Sequence, residues 1–180
     1  MKKLLVVFAT LIVAVVTQAA SVKWTCTNVY KNGTVKSSGV AYLMLESDVA
    51  DFSALKGNST AINAALDKAL LSYTPSTAGT YSLTKTNAEL GLDDATSYGN
   101  VYLVIFDTAT VTDSSNFYVT SSKPLTTYAG DNTVSIAFGS QATNSKNAAN
   151  WSSTSGAPEP TSGLLLLVGA GLLGLRRKRA

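Results

Sequence analysis

Apolar residues along this chain fall into runs of three kinds: alternating, continuous and helically spaced. Val22, Trp24, Cys26 and Tyr30 alternate with Lys23, Thr25, Thr27 and Lys31, which predicts a strand with one buried face. Asn32-Gly33 is a favourable tight-turn pair, and residues 34–38 would return as the hairpin partner. Residues 40–45 (Val-Ala-Tyr-Leu-Met-Leu) and 101–106 (Val-Tyr-Leu-Val-Ile-Phe) are continuously apolar, as suits strands covered on both faces. Tyr81 and Leu83 alternate with Thr80, Ser82 and Thr84, and residues 117–119 make a short strand. Val134, Ile136 and Phe138 alternate with Thr133 and Ser135, behind a turn at Gly130-Asp131-Asn132.

One segment repeats at helical spacing. Ile62, Ala65, Leu66, Ala69, Leu70 and Tyr73 fall on one stripe, with Asn63, Asp67, Lys68 and Ser72 opposite. Asn58, Ser59 or Thr60 can cap its start, and Pro75 lies just past its end. A shorter helical turn fits residues 49–55. These elements predict a mainly β, antiparallel single domain, sandwich-like or α+β, with one packed amphipathic helix and two flanking hydrophobic targeting segments. The body spans residues 20–149, and residues 150–156, polar and without a period, read as a linker.

The flanking segments differ in kind from the body. Met1-Lys2-Lys3 is basic, and residues 4–16 are apolar apart from Thr10. Small residues then precede a cut between Ala19 and Ala20, with Ala20/Ser21 second. This is the layout of a secretory signal peptide over residues 1–19. At the other end Pro158-Glu159-Pro160 precedes residues 164–175, which carry no charge, and then Arg176, Arg177, Lys178 and Arg179. As a helix, residues 161–175 would be roughly 22 Å long at ~1.5 Å per residue. That is short of a ~30 Å hydrocarbon core, a gap that snorkelling Arg side chains can bridge. The four cations would act as a stop signal and stay on the cytoplasmic side of the inner membrane. Pro160 removes a backbone donor and disfavours helical geometry at Glu159, so the tripeptide would be held extended at the outer membrane face.

Pro158-Glu159-Pro160, a short apolar stretch and a terminal basic cluster, in this order behind a signal peptide, resemble the PEP-CTERM sorting signal of Gram-negative bacteria. Ala157 stands where Val is frequent in that family. The resemblance covers residues 157–180 and does not extend to the body. It implies export by the Sec machinery and transient anchoring in the inner membrane. It also implies processing near Pro158-Glu159-Pro160 by an exosortase, a membrane enzyme similar in logic to sortase. The destination it implies is the cell surface or extracellular matrix, where family members are linked to extracellular polysaccharide.

Composition narrows what the body can do. The full chain holds 14 Lys+Arg against 11 Asp+Glu, yet between residues 20 and 156 there are eight Lys, no Arg and ten acids. A body with net charge −2 offers no basic face to nucleic acid. With no His and one Cys, Cys26, the chain has no histidine general base, no His-containing metal site, no Cys/His nucleophile pair and no internal disulfide. No cofactor motif is present. Cys26 falls on the apolar side of its strand, which suits an inert buried thiol; a cross-link between two copies is the alternative. A carboxylate-dependent hydrolase would need acids brought together, and the body has only Glu46 and Glu89 besides its Asp residues. Asp93-Asp94 lacks the alternating ligands of a calcium loop. Tyr98, Tyr128 and Trp151 lie in loop-like sequence and are the candidates for a ligand surface, as in a carbohydrate-binding module. The composition and motifs together favour a non-enzymatic structural or adhesive protein over either of those alternatives.

Overall fold

The computed structural model of the protein describes residues 19–31, 34–35 and 39–155. The basic and apolar part of the expected signal peptide, the Asn32-Gly33 turn and the sorting tail lie outside the described residues. The strands in chain order are β1 (Ser21–Thr27), β2 (Tyr30–Lys31), β3 (Thr34–Val35), β4 (Ala41–Leu45), β5 (Leu71–Tyr73) and β6 (Tyr81–Thr86). They continue with β7 (Ser97–Phe106), β8 (Asn116–Val119), β9 (Lys123–Thr126), β10 (Thr133–Ser140) and β11 (Trp151–Ser153). One α-helix, α1 (Ser59–Leu66), is joined by short 3-10 turns, of which Phe52–Leu55 realises the helical turn expected near residues 49–55.

Two main sheets form. The smaller has the order β10-β1-β6, the larger β11-β8-β7-β4-β5, and β2 and β3 make a separate hairpin. β7 organises the larger sheet. Val101 pairs with both Leu45 and Lys123, and Val104 with both Tyr42 and Val119, so β4 takes one edge while β8 and β9 share the other. Every pairing is antiparallel except β1 with β10, which is parallel. That pair carries a bulge at Thr25/Cys26, where Gly139 stands opposite Cys26 at φ 73°, a left-handed backbone that glycine adopts without steric cost.

The sheets pack face to face over a core that includes Val22, Trp24 and Cys26 of β1, Leu43 of β4, Leu103 and Ile105 of β7, and Ile136 and Phe138 of β10. The alternation in β1 thus has its expected cause, the inward face being the apolar one. The other face of the larger sheet is equally apolar: Met44, Tyr102, Val104, Phe106 and Phe117 are covered by Phe52, Ile62 and Ala65. Residues 101–106 are buried on both sides, which is why that run has no polar member. The result is three layers, sheet on sheet on helix.

Two expectations need correction. The helical stripe does not reach Tyr73. Asn58 caps α1 through its side-chain oxygen, which accepts from Ala61 N at 3.0 Å, but the helix ends at Leu66. Leu70 N donates to Leu43 O at 2.9 Å, and β5 then pairs with the free edge of β4. Backbone groups of an open sheet edge take the segment, and Leu71 and Tyr73 still reach the inter-sheet core. The expected linker over residues 150–156 is, through residue 155, part of the domain. Trp151, Ser152 and Ser153 pair with Tyr118, Phe117 and Asn116. Thr154 is buried, and its hydroxyl donates to Thr112 O at 2.8 Å and Ser115 O at 2.9 Å.

Candidate functional site

Cys26 is fully buried beside Trp24, and burial pushes its thiol up to about 12. A thiol so raised carries almost no thiolate near neutrality and is a poor nucleophile. The sign follows: the neutral thiol's contribution to stability is complete below the unfolded group's pKa of 9.0 and is lost as pH climbs toward about 12. Alkylation at mildly alkaline pH should leave the folded chain unlabelled and label it fully in denaturant. Labelling of the folded chain would place Cys26 within reach of solvent.

The carboxylates do not converge. Glu46 follows β4 in the larger sheet, where its carboxylate accepts from Asn100 Nδ2 at 2.7 Å. Glu89 lies in a 3-10 turn after β6, in the smaller sheet. Its hydrogen bond from Lys85 comes first, with those from the Thr86 amide and hydroxyl, and together they hold its carboxyl down at about 2. Asp94 accepts from Asn87 Nδ2 at 2.7 Å, and the Asp93 carbonyl accepts from the Thr127 hydroxyl at 2.6 Å. Both acids are otherwise exposed on their loop. Among the described residues no three His, Cys, Asp or Glu side chains gather as a metal site would require.

The three aromatic candidates occupy different places. Tyr128 is 54% exposed, on the loop after β9. Tyr98 lies within β7 rather than in a loop; it packs on the inter-sheet core, and its hydroxyl accepts from Asp93 N at 2.5 Å. Trp151 begins β11 and stacks against Tyr118 at 5.8 Å between centroids, while its Nε1 donates to Ser145 O at 2.8 Å. Trp151 pairs with Tyr118, which pairs with Ile105, seven residues along β7 from Tyr98. At ~3.3 Å per residue Tyr98 and Trp151 are more than about 20 Å apart, too far for one platform. Beside β8 and β11 a groove of about 400 Å³ is lined by Ser53, Tyr118, Ser121, Asn144, Asn150 and Ser152 among others. Phe117, Val119 and Ala149 complete its walls, and no Asp or Glu lines it.

A cluster that sequence reasoning missed joins β2 to the larger sheet. Lys31 forms an ion pair with Asp107 Oδ2, Asn116 Nδ2 donates to that same oxygen at 3.0 Å, and Asn116 N donates to Oδ1 at 2.7 Å. The Lys31 ammonium lies 5.6 Å from the centroid of the Trp151 ring. Burial alone would raise the Asp107 carboxyl, but the hydrogen bonds from Lys31 and Asn116 hold it below its ordinary value. Lys31 sits at a polar position of an alternating strand, and Asp107 follows a long apolar run. Neither placement announces a partner 76 residues away.

At the amino end the fold takes hold at Ala20. Ala19 is exposed, whereas Ala20 is buried and its carbonyl accepts from Asn87 N at 2.8 Å. Among the described residues no helix is long and apolar enough to cross a membrane. Neither the curated proteins nor the solved structures include a match to the chain. A family model described as the PEP-CTERM protein-sorting motif matches residues 157–179, which takes in Pro158, Glu159 and Pro160 and the cations Arg176, Arg177, Lys178 and Arg179. The chain therefore carries a PEP-CTERM protein-sorting motif, the mark of an exported protein that an exosortase-type enzyme processes and that is sorted to the cell envelope.

Proposed function

We propose that the body is a non-enzymatic structural or adhesive module of the cell surface or extracellular matrix. It leaves the cytoplasm through the Sec machinery on a signal peptide cut between Ala19 and Ala20. The tail then holds it briefly in the inner membrane, with Arg176, Arg177, Lys178 and Arg179 inside, until the exosortase-type enzyme acts near Pro158-Glu159-Pro160. The observation that carries this reading is the sorting motif directly behind a β-rich domain. The local engagement of Glu46 and Glu89, in different sheets, favours a structural role over a carboxylate hydrolase.

Replacing both Pro158 and Pro160 with Ala should leave export intact and trap the protein in the inner membrane, as read by fractionation of the cell envelope. Surface delivery equal to that of the unmodified chain would sink the sorting reading. The exposed Tyr128 ring favours a second reading, binding of extracellular polysaccharide. Exported protein applied to a glycan array would show a defined set of bound sugars in that case, and Tyr128→Ala would abolish the signal. Silence across the array leaves the purely structural role.

A further inference from the structure

We propose that Lys31 and Asn116 become joined by an intramolecular isopeptide bond, with Asp107 as the proton-transferring group. One carboxylate oxygen, Asp107 Oδ2, holds both reactants: the Lys31 amine on one side and the Asn116 carboxamide nitrogen, at 3.0 Å, on the other. The Asn116 backbone amide donates to Oδ1 at 2.7 Å, which holds that residue's backbone against the same carboxylate. The site is largely closed to water. The Lys31 side chain is 19% exposed and that of Asp107 10%, and the Trp151 ring, itself stacked on Tyr118, stands beside Lys31.

The chemistry balances within these three residues. The Lys31 ammonium passes a proton to the Asp107 carboxylate, a step that runs against the hydrogen bonds favouring the charged carboxylate and is helped by burial, which disfavours both charges. The free amine attacks Asn116 Cγ, and a new carbon–nitrogen bond forms. Asp107 returns its proton to the carboxamide nitrogen, whose bond to Cγ then breaks. The ammonia released takes the remaining proton from Nζ, by way of Asp107, and leaves as ammonium. An ammonium and a carboxamide thus become a secondary amide and an ammonium, with no oxidant, cofactor or second protein. Holding amine and amide on one oxygen supplies the proximity that makes so slow an exchange possible. An amide between Lys31 and Asp107 itself, formed by loss of water, would need another acid to handle the proton. None of the hydrogen bonds at this cluster comes from one.

The bond would tie β2, just after the first strand, to the start of β8 in the other sheet. An exported chain whose single thiol is buried has no disulfide to do this.

The test uses the full chain recovered from cells that export it, digested with trypsin and sequenced by tandem mass spectrometry. The expected product is a branched peptide in which Lys31 resists cleavage and is joined to the fragment carrying Asn116, one ammonia lighter than the two together. Asn116→Ala and Asp107→Asn should each yield separate fragments at the masses their sequences give without a cross-link. So should Lys31→Arg, which keeps the cation beside Asp107 and should still fold but melt at a lower temperature. Ordinary cleavage after Lys31 in the native chain overturns the proposal. A branch one water lighter that survives Asn116→Ala overturns it equally, by moving the bond to Asp107.

Discussion

Phe106→Ala should remove about 3–5 kcal/mol of folding stability, a large part of the ~5–15 kcal/mol that holds a domain of this size. Phe106 ends the doubly covered strand β7 and has no exposed surface. Its ring meets Tyr42 edge-on at 5.7 Å, Phe52 at 6.4 Å and Phe117 at 5.8 Å. These neighbours come from β4, a 3-10 turn and β8, so the ring joins the larger sheet to the layer that covers it. Truncation leaves a cavity that none of them can close alone, because each is anchored in a different element. Thermal unfolding followed by circular dichroism should show a midpoint lower by more than about 10 °C. A loss under about 1 kcal/mol would mean that this face of the sheet is not packed as described.

Gly39→Ala should cost about 3 kcal/mol, by overpacking rather than by a void. A Cβ on Gly39 would strike the Phe106 carbonyl oxygen and come within 2.6 Å of the Tyr81 hydroxyl. The backbone on either side is held: Phe106 N donates to Val40 O at 2.8 Å, and Val40 N donates to Thr108 O at 3.2 Å. Moving Gly39 away from the carbonyl would break those bonds. Tyr81 is no easier to shift, since its ring is fully buried, and its hydroxyl has no hydrogen-bond partner among the described residues. Burial first, with Cys26 adding to it, pushes that hydroxyl well above the ordinary tyrosine range. Tyr81→Phe should therefore be neutral or stabilising by itself, because it deletes a buried polar atom that nothing satisfies. Combined with Gly39→Ala it should restore part of the loss. Chemical denaturation of the three variants checks both statements, and no rescue in the double variant would show that the carbonyl contact alone sets the cost.

The elements that could be read in advance share one property: their side chains are sorted by burial. In β1 the residues Val22, Trp24 and Cys26 point into the inter-sheet core, and residues 101–106 lose all polar members because both faces of β7 are covered. The same logic places Cys26 and makes an inert thiol of it. It fails where a segment is held by its backbone. Leu70 and Tyr73 continue the stripe of α1, and only the open edge of β4 turns residues 71–73 into strand. Trp151, Ser152 and Ser153 look like linker because two of the three are small and polar, yet their backbone completes the edge beside β8. Tyr98 reads as loop for a similar reason: Ser97, Gly99 and Asn100 around it are turn-like residues, while its strand is made by pairing with β9.

The same division runs through the functional residues. Pro158, Glu159, Pro160 and the terminal cations are legible as they stand, because the sorting motif is defined by residue order and spacing along the chain. Lys31, Asp107 and Asn116 carry no such signature. Periodicity reports only whether a side chain faces inward, and a strand edge is joined through N–H and C=O groups that every residue except proline possesses. So the linear chain specifies which faces are buried and how its end is addressed. Which edges pair, the parallel match of β1 with β10, and the meeting of the Lys31 amine with the Asp107 carboxylate 76 residues away and its neighbour Asn116 arise only when the sheets close on one another.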